Sequence, residues 1–168
     1  MNNRMEQPSV QIYTGEGKGK STAAFGLAMR AAGNGFRVLV IQFQKARECG
    51  ERIGAEKLGI ELMHCPHGRG HGACAVPCPL LAAAGKALEI GETDLLILDE
   101  IMAAIKHGCV GTAEAATLVD TYRGKAEIVM TGRNAPEELT SRADLVTEMK
   151  KIKHYYDAGL PARRGIEF

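Results

Sequence analysis

The sequence predicts an α/β protein built on a mostly parallel sheet of about six strands with helices on both faces. Three observations predict it. Short apolar runs alternate with helix-like segments along all 168 residues. The runs are continuously apolar, as strands buried on both faces require, rather than alternating apolar and polar. No internal repeat, low-complexity tract or linker interrupts the alternation, so the chain is expected to be one domain over 1–168, with a flexible start at 1–9.

Each element follows from its own residues. "VQIYT" at 10–14 reads as a strand, and "GKSTAAFGLAMRAAG" as a helix closed by Gly33. "FRVLVIQF" at 36–43 is a second strand, "GERIGAEKLG" a short helix, and "IELMH" at 60–64 a third strand. "PLLAAAGKALEIG" is a helix, and "DLLILDE" at 94–100 a strand with an acidic end. "GTAEAATLVDTYRG" is a helix, "AEIVMTGR" at 126–133 a strand, and "APEELTSRA" a helix. "DLVTEMKKIKH" then forms an edge strand that runs into the tail. Parallel sheets bind ligands at the carboxyl ends of their strands. That end collects Gly15 to Ser21, Gln42 to Lys45, Asp99 with Glu100, and Thr131 to Arg133.

Composition excludes several function classes. Net charge is +1, which gives no broad field for nucleic acid or an anionic membrane. Aromatics are 5% with no Trp, too few for a base-stacking platform. No apolar run reaches the roughly 20 residues that span a bilayer. The start "MNNRMEQPSV" has no signal-peptide core, so a cytoplasmic protein with reduced cysteines is expected.

The first strand leads into "TGEGKGKST" at 14–22, which fits G-x-x-x-x-G-K-[ST] except that Thr14 stands first. A glycine-rich turn lets backbone N–H groups converge on phosphate, and the following helix adds its positive end. Lys20 would reach phosphate oxygens, Ser21 would offer its hydroxyl to Mg²⁺, and Thr22 supplies a second hydroxyl. "LLILDE" is the usual setting for a Mg²⁺-organising carboxylate, Asp99 or Glu100. Together they predict a Mg-nucleotide site and leave the reaction open. Arg133 and Lys45, at strand ends, are either ligand contacts or solvated charges.

With "QFQK", "MTGR" and the tail "KHYYDAG" to "GIEF" added, the chain resembles the P-loop type of ATP:corrinoid adenosyltransferase over nearly its whole length except roughly 46–80. The resemblance implies a single-domain P-loop, RecA-like fold and a homodimer. It implies transfer of the 5′-deoxyadenosyl group of ATP to a reduced Co(I) corrinoid with release of triphosphate. ATP and the corrinoid would be substrates, Mg²⁺ the cation, and a flavoprotein or other reductant the partner for cobalt. It places Thr14, Gly15, Glu16, Gly17, Lys18, Gly19, Lys20, Ser21, Thr22, Lys45 and Arg133 around the nucleotide. Lys20 and Glu100 would be catalytic, and Ser21, Asp99 and Glu100 would hold Mg²⁺. A P-loop ATPase or kinase acting at the β–γ bond, and a non-catalytic ATP- or corrinoid-binding module, are the alternatives.

Two stretches depart from the family. About nine residues precede the first strand, where better-known members have a longer segment covering the corrinoid. The family's corrinoid-contacting aromatics are replaced by a Cys/His/Gly-rich stretch at 64–79, "HCPHGRGHGACAVPCP". Cys65, His71, Cys74 and Cys78 there, with His64 and His67, are candidate ligands for zinc or an iron–sulfur cluster. Their spacing is irregular and holds no C-x-x-C, so a loop with incidental thiols is the other reading.

Overall fold

The computed structural model of the chain describes residues 5–45, 49–66 and 78–168. Six strands form one sheet: β1 (Val10–Thr14), β2 (Val38–Gln42), β3 (Glu61–His64), β4 (Leu95–Asp99), β5 (Glu127–Thr131) and β6 (Leu145–Glu148). Their spatial order is β3-β2-β4-β5-β1-β6, and every pairing is parallel. The helices are α1 (Lys20–Gly33), α2 (Gly50–Lys57), α3 (Pro79–Glu89), α4 (Ile101–Lys106), α5 (Thr112–Tyr122) and α6 (Glu137–Thr140). A 3₁₀ turn, Tyr155–Ala158, lies in the tail.

The side-chain period of two divides the core. On one face Val38, Val40, Leu95, Ile97 and Val129 meet Ala24, Ala28 and Ala31 of α1 and Ala55 of α2. On the other, Ile12, Leu39, Ile41, Leu96, Leu98, Ile128 and Met130 pack against α3, α4, α5 and α6. All five residues of β2, β4 and β5 are buried, as their unbroken apolar runs require. The small residues of α1 let that helix lie close on the sheet and bring its first turn over the carboxyl end of β4. β6 is exposed along its whole length, as the expected edge strand.

The order places β5 between β1 and β4, so Thr131 ends midway between the loop after β1 and the acids after β4. α4 is an element that sequence reading did not assign. Glu100 precedes it in the left-handed region with φ 62, which turns the chain from β4 into the helix. Gly132 makes that approach close: a Cβ there would lie 2.5 Å from Met102 Cβ. The Cys/His-rich stretch begins in the last residue of β3, His64, and ends in the first of α3, Pro79. His67, His71 and Cys74 lie outside the described residues. Among the described residues no helix is long and apolar enough to cross a membrane.

Candidate functional site

The loop between β1 and α1 is shaped by contact with the chain after β6. Met149 N–H donates to Thr14 C=O at 2.8 Å, and Gly17 N–H donates to Met149 C=O at 2.6 Å. A Cβ at Gly17 would sit 2.5 Å from Met149 O, and one at Gly15 2.6 Å from the same atom. Glycine is therefore demanded here by backbone passing close against backbone. The Gly17 amide, expected to face phosphate, is bonded to Met149 instead. Thr14, in the position where a glycine is usual, ends β1 and accepts from Ala135 N–H at 3.3 Å through Oγ1.

Lys20 opens α1 and folds back over the loop. Its ammonium donates to Gly15 C=O and Gly17 C=O, each at 2.7 Å, with the residue 7% exposed. Burial lowers its pKa below the ordinary lysine value, against an opposing pull from the Glu100 charge. The neighbouring Ser21 hydroxyl donates to Asp99 Oδ1 at 2.7 Å.

Asp99 is the hub of the site. It is fully buried at the end of β4. Oδ1 accepts from Ser21 and, at 2.8 Å, from Thr131 Oγ1. Oδ2 accepts from Lys45 Nζ at 2.8 Å and Gln42 Nε2 at 3.2 Å. Four donors from α1, β2, β5 and the turn after β2 thus converge on one carboxylate, which supplies the partners a buried charge requires. Burial opposes the charge on Lys45, but the field and hydrogen bond of Asp99, with Glu51 and Glu100, outweigh it and raise its pKa. Lys45, which the sequence left between ligand contact and solvated charge, is an ion-pair partner of Asp99 beside the cleft.

Thr131 also accepts from Glu100 N–H at 2.9 Å, which fixes the left-handed turn that sets Glu100 at the cleft. Sequence reading named Thr131 only as part of a strand end. Its signal was the β5 position between β1 and β4, which no single segment encodes.

The loop, Lys45 and Glu100 line a cavity of about 290 Å³. Its walls are Glu16 to Thr22, Lys45, Glu51, Glu100 and Arg133, closed on one side by His154, Ile166 and Glu167 of the tail. Arg133 pairs with Glu16 at 2.9 Å, both more than half exposed, so it is a salt bridge at the rim. Lys18, expected on phosphate, donates to the tail: Tyr155 Oη at 2.7 Å, Glu167 Oε1 at 2.8 Å and Ile166 C=O at 3.1 Å. A second cavity of about 200 Å³ adjoins the first through Glu16, Glu100 and Arg133 and reaches Met102, Lys106 and His107.

A divalent cation fits a narrow donor set here. Both Asp99 oxygens are occupied by protein donors, so Asp99 orients Ser21 rather than offering a free oxygen. Ser21 and Glu100 line the cleft and carry hard oxygen atoms, the donor type that Mg²⁺ takes alongside waters and substrate phosphates. Among the described residues no three His, Cys, Asp or Glu side chains form a metal-holding group. Of the expected second metal set, Cys65 and Cys78 are buried free thiols, while His71 and Cys74 are outside the described residues.

Comparison with known proteins gives one family. The family described as ATP:corrinoid adenosyltransferase BtuR/CobO/CobP matches residues 6–168. The chain is 32% identical to the corrinoid adenosyltransferase of Pseudomonas aeruginosa, with 98% of this chain and 86% of that protein covered. It is 32% identical to the corrinoid adenosyltransferase CobA of Salmonella typhimurium, covering 97% and 87%. A Sinorhizobium corrinoid adenosyltransferase is 36% identical, covering 97% and 81%. Among solved structures, the flagellar accessory protein FlaH of Methanocaldococcus jannaschii superposes with a TM-score of 0.56. At 20% identity over 83% of this chain and 70% of that one, this likeness concerns the fold alone.

Proposed function

The chain belongs to the ATP:corrinoid adenosyltransferase family, and from that premise we propose how its cleft performs the reaction. The protein transfers the adenosyl group of ATP to a corrinoid. In this reading the corrinoid arrives as Co(I), its cobalt attacks C5′ of ATP, and a Co–C bond forms. The C5′–O bond breaks, and its electron pair leaves on triphosphate.

One observation carries the reading. In a chain matched to the family over residues 6–168, Lys20, Ser21 and Glu100 meet at one cleft beside a glycine-rich loop. A Co(I) nucleophile needs no protein base, so the protein's work is alignment and charge stabilisation. Lys20 supports the negative charge that grows on the leaving oxygen. Ser21 and Glu100 would hold Mg²⁺, which when bound offsets phosphate charge. Asp99 keeps Ser21 oriented and Lys45 in place. Arg133 stands at the rim, where a phosphate oxygen would compete with Glu16 for its guanidinium.

The same reading takes the chain as one nucleotide-binding domain that works as a cytoplasmic homodimer, with a flavoprotein or other reductant supplying the cobalt electrons. It is tested with ATP, Mg²⁺ and a chemically reduced corrinoid. The expected products are a light-sensitive adenosyl corrinoid and triphosphate in equal amounts. ADP with inorganic phosphate would instead identify cleavage at the β–γ bond.

A further inference from the structure

Lys18 lies in the middle of the glycine-rich loop, where a lysine would be expected to meet phosphate. An ammonium has three N–H donors and no more. All three of Lys18 are engaged by the tail, on Tyr155 Oη, Ile166 C=O and Glu167 Oε1. The knot extends further. Tyr155 Oη donates to Glu167 Oε1, and Arg163 donates to Glu167 from its backbone N–H at 2.6 Å and from its guanidinium at 3.2 Å. Lys18 and Arg163 also face the Tyr155 ring, at 5.4 and 4.9 Å from its centroid. The loop and Arg163 thus grip the same carboxylate and the same ring.

The rest of the tail does not hold itself down by burial. Ile152 is 82% exposed, Tyr156 70% and Ile166 55%. Yet His154, Ile166 and Glu167 form one wall of the nucleotide cavity. Lys18 and Arg163 both pair with the Glu167 carboxylate at that wall, at 2.8 and 3.2 Å.

We propose that Lys18 is not a phosphate ligand but the anchor of a C-terminal strap, and that Glu167 is the positioning residue through which the strap walls the cavity. An isolated surface pair contributes little, but a network of one carboxylate with two cations and a phenol is the exception. The wall's importance for ATP rests on the proposed function. The docking of the strap does not.

Two measurements test it. The first is hydrogen–deuterium exchange over residues 154–168 in the ligand-free protein. Lys18→Met and Glu167→Gln should each speed exchange there roughly fivefold or more. Lys18→Arg should retain protection. Unchanged exchange in Lys18→Met overturns the anchor. The second is calorimetry with ATP and with inorganic tripolyphosphate. Lys18→Met should weaken ATP while leaving tripolyphosphate within about twofold of the parent, since Lys20 remains. An equal or larger loss for tripolyphosphate would make Lys18 a phosphate ligand and overturn the proposal. Exchange needs no ligand, so it reads the strap even if the parent protein transfers no adenosyl group.

Discussion

At the scale of single residues, the account rests on a division of labour between two lysines and two acids. Lys20 should be the group that meets developing charge. Lys20→Ala should lower kcat/KM for adenosyl transfer by on the order of 3 kcal/mol in transition-state stabilisation, read from initial rates. Asp99 acts on its neighbours. Asp99→Ala strands the Lys45 ammonium and the Ser21 and Thr131 hydroxyls that now donate to it. The expected cost is about 3 kcal/mol, measured by denaturant unfolding. Lys45 adds a sign. Its folded pKa is raised, so its contribution is fully present below the unfolded lysine value near about 10.4 and is lost as pH rises through the folded one. Replacing Lys45 by Met should therefore flatten the alkaline limb of the stability curve. These roles were partly legible in sequence. "GKS" and "LLILDE" named Lys20, Ser21 and the acids, because both motifs are local. The bond from Thr131 to Asp99 spans strands that only the sheet order brings together, and the Lys18 contact links residues at opposite ends of the chain.

At the scale of elements, continuous apolar runs made β2, β4 and β5 readable, since strands covered on both faces have no polar alternation to conceal them. Most boundaries shrank by a residue or two, as at "FRVLVIQF", where the strand is Val38–Gln42, but the edge strand read over 144–154 ends at Glu148 and the helix read over 135–143 keeps only Glu137–Thr140. α4 was missed for a physical reason. Its six residues, Ile101–Lys106, follow β4 at once, and the break between them is a left-handed glutamate rather than a glycine or proline. Close approach explains the glycine of "MTGR". Gly132→Ala should press on Met102 at a φ of 143 that side chains rarely adopt, and should cost about 1–3 kcal/mol of stability by thermal unfolding. Gly17→Ala meets the Met149 carbonyl instead, so its loss should appear first as weaker ATP binding in calorimetry. The Cys/His-rich stretch illustrates what local pattern cannot give. Its described thiols, Cys65 and Cys78, are buried, and neither belongs to a three-ligand group among the described residues.

At the scale of the whole molecule, a parallel sheet gathers the ends of β1, β2, β4 and β5 on one edge, and the tail returns to close the cleft they form. This closure responds to acid with a definite sign. Hydrogen bonds from Arg163, Lys18 and Tyr155 hold the Glu167 carboxyl well below the usual carboxylate range. Its contribution is present above the unfolded glutamate value near about 4.3 and is lost only as pH falls further. Exchange protection of the strap should therefore persist from neutral pH to about that value and weaken progressively below it. The resemblance that sequence carried is matched in the family assignment over residues 6–168. Fold class was legible because alternation of strand and helix is a chain-long pattern, while strand order was not, because no segment encodes its neighbour. The central claim is that triphosphate is the leaving group, not the group transferred. Chromatographic analysis of the phosphate products, with ATP, Mg²⁺ and reduced corrinoid present, tests it most directly. The account predicts intact triphosphate in one-to-one ratio with the adenosyl corrinoid, and ADP with inorganic phosphate as the main products would contradict it.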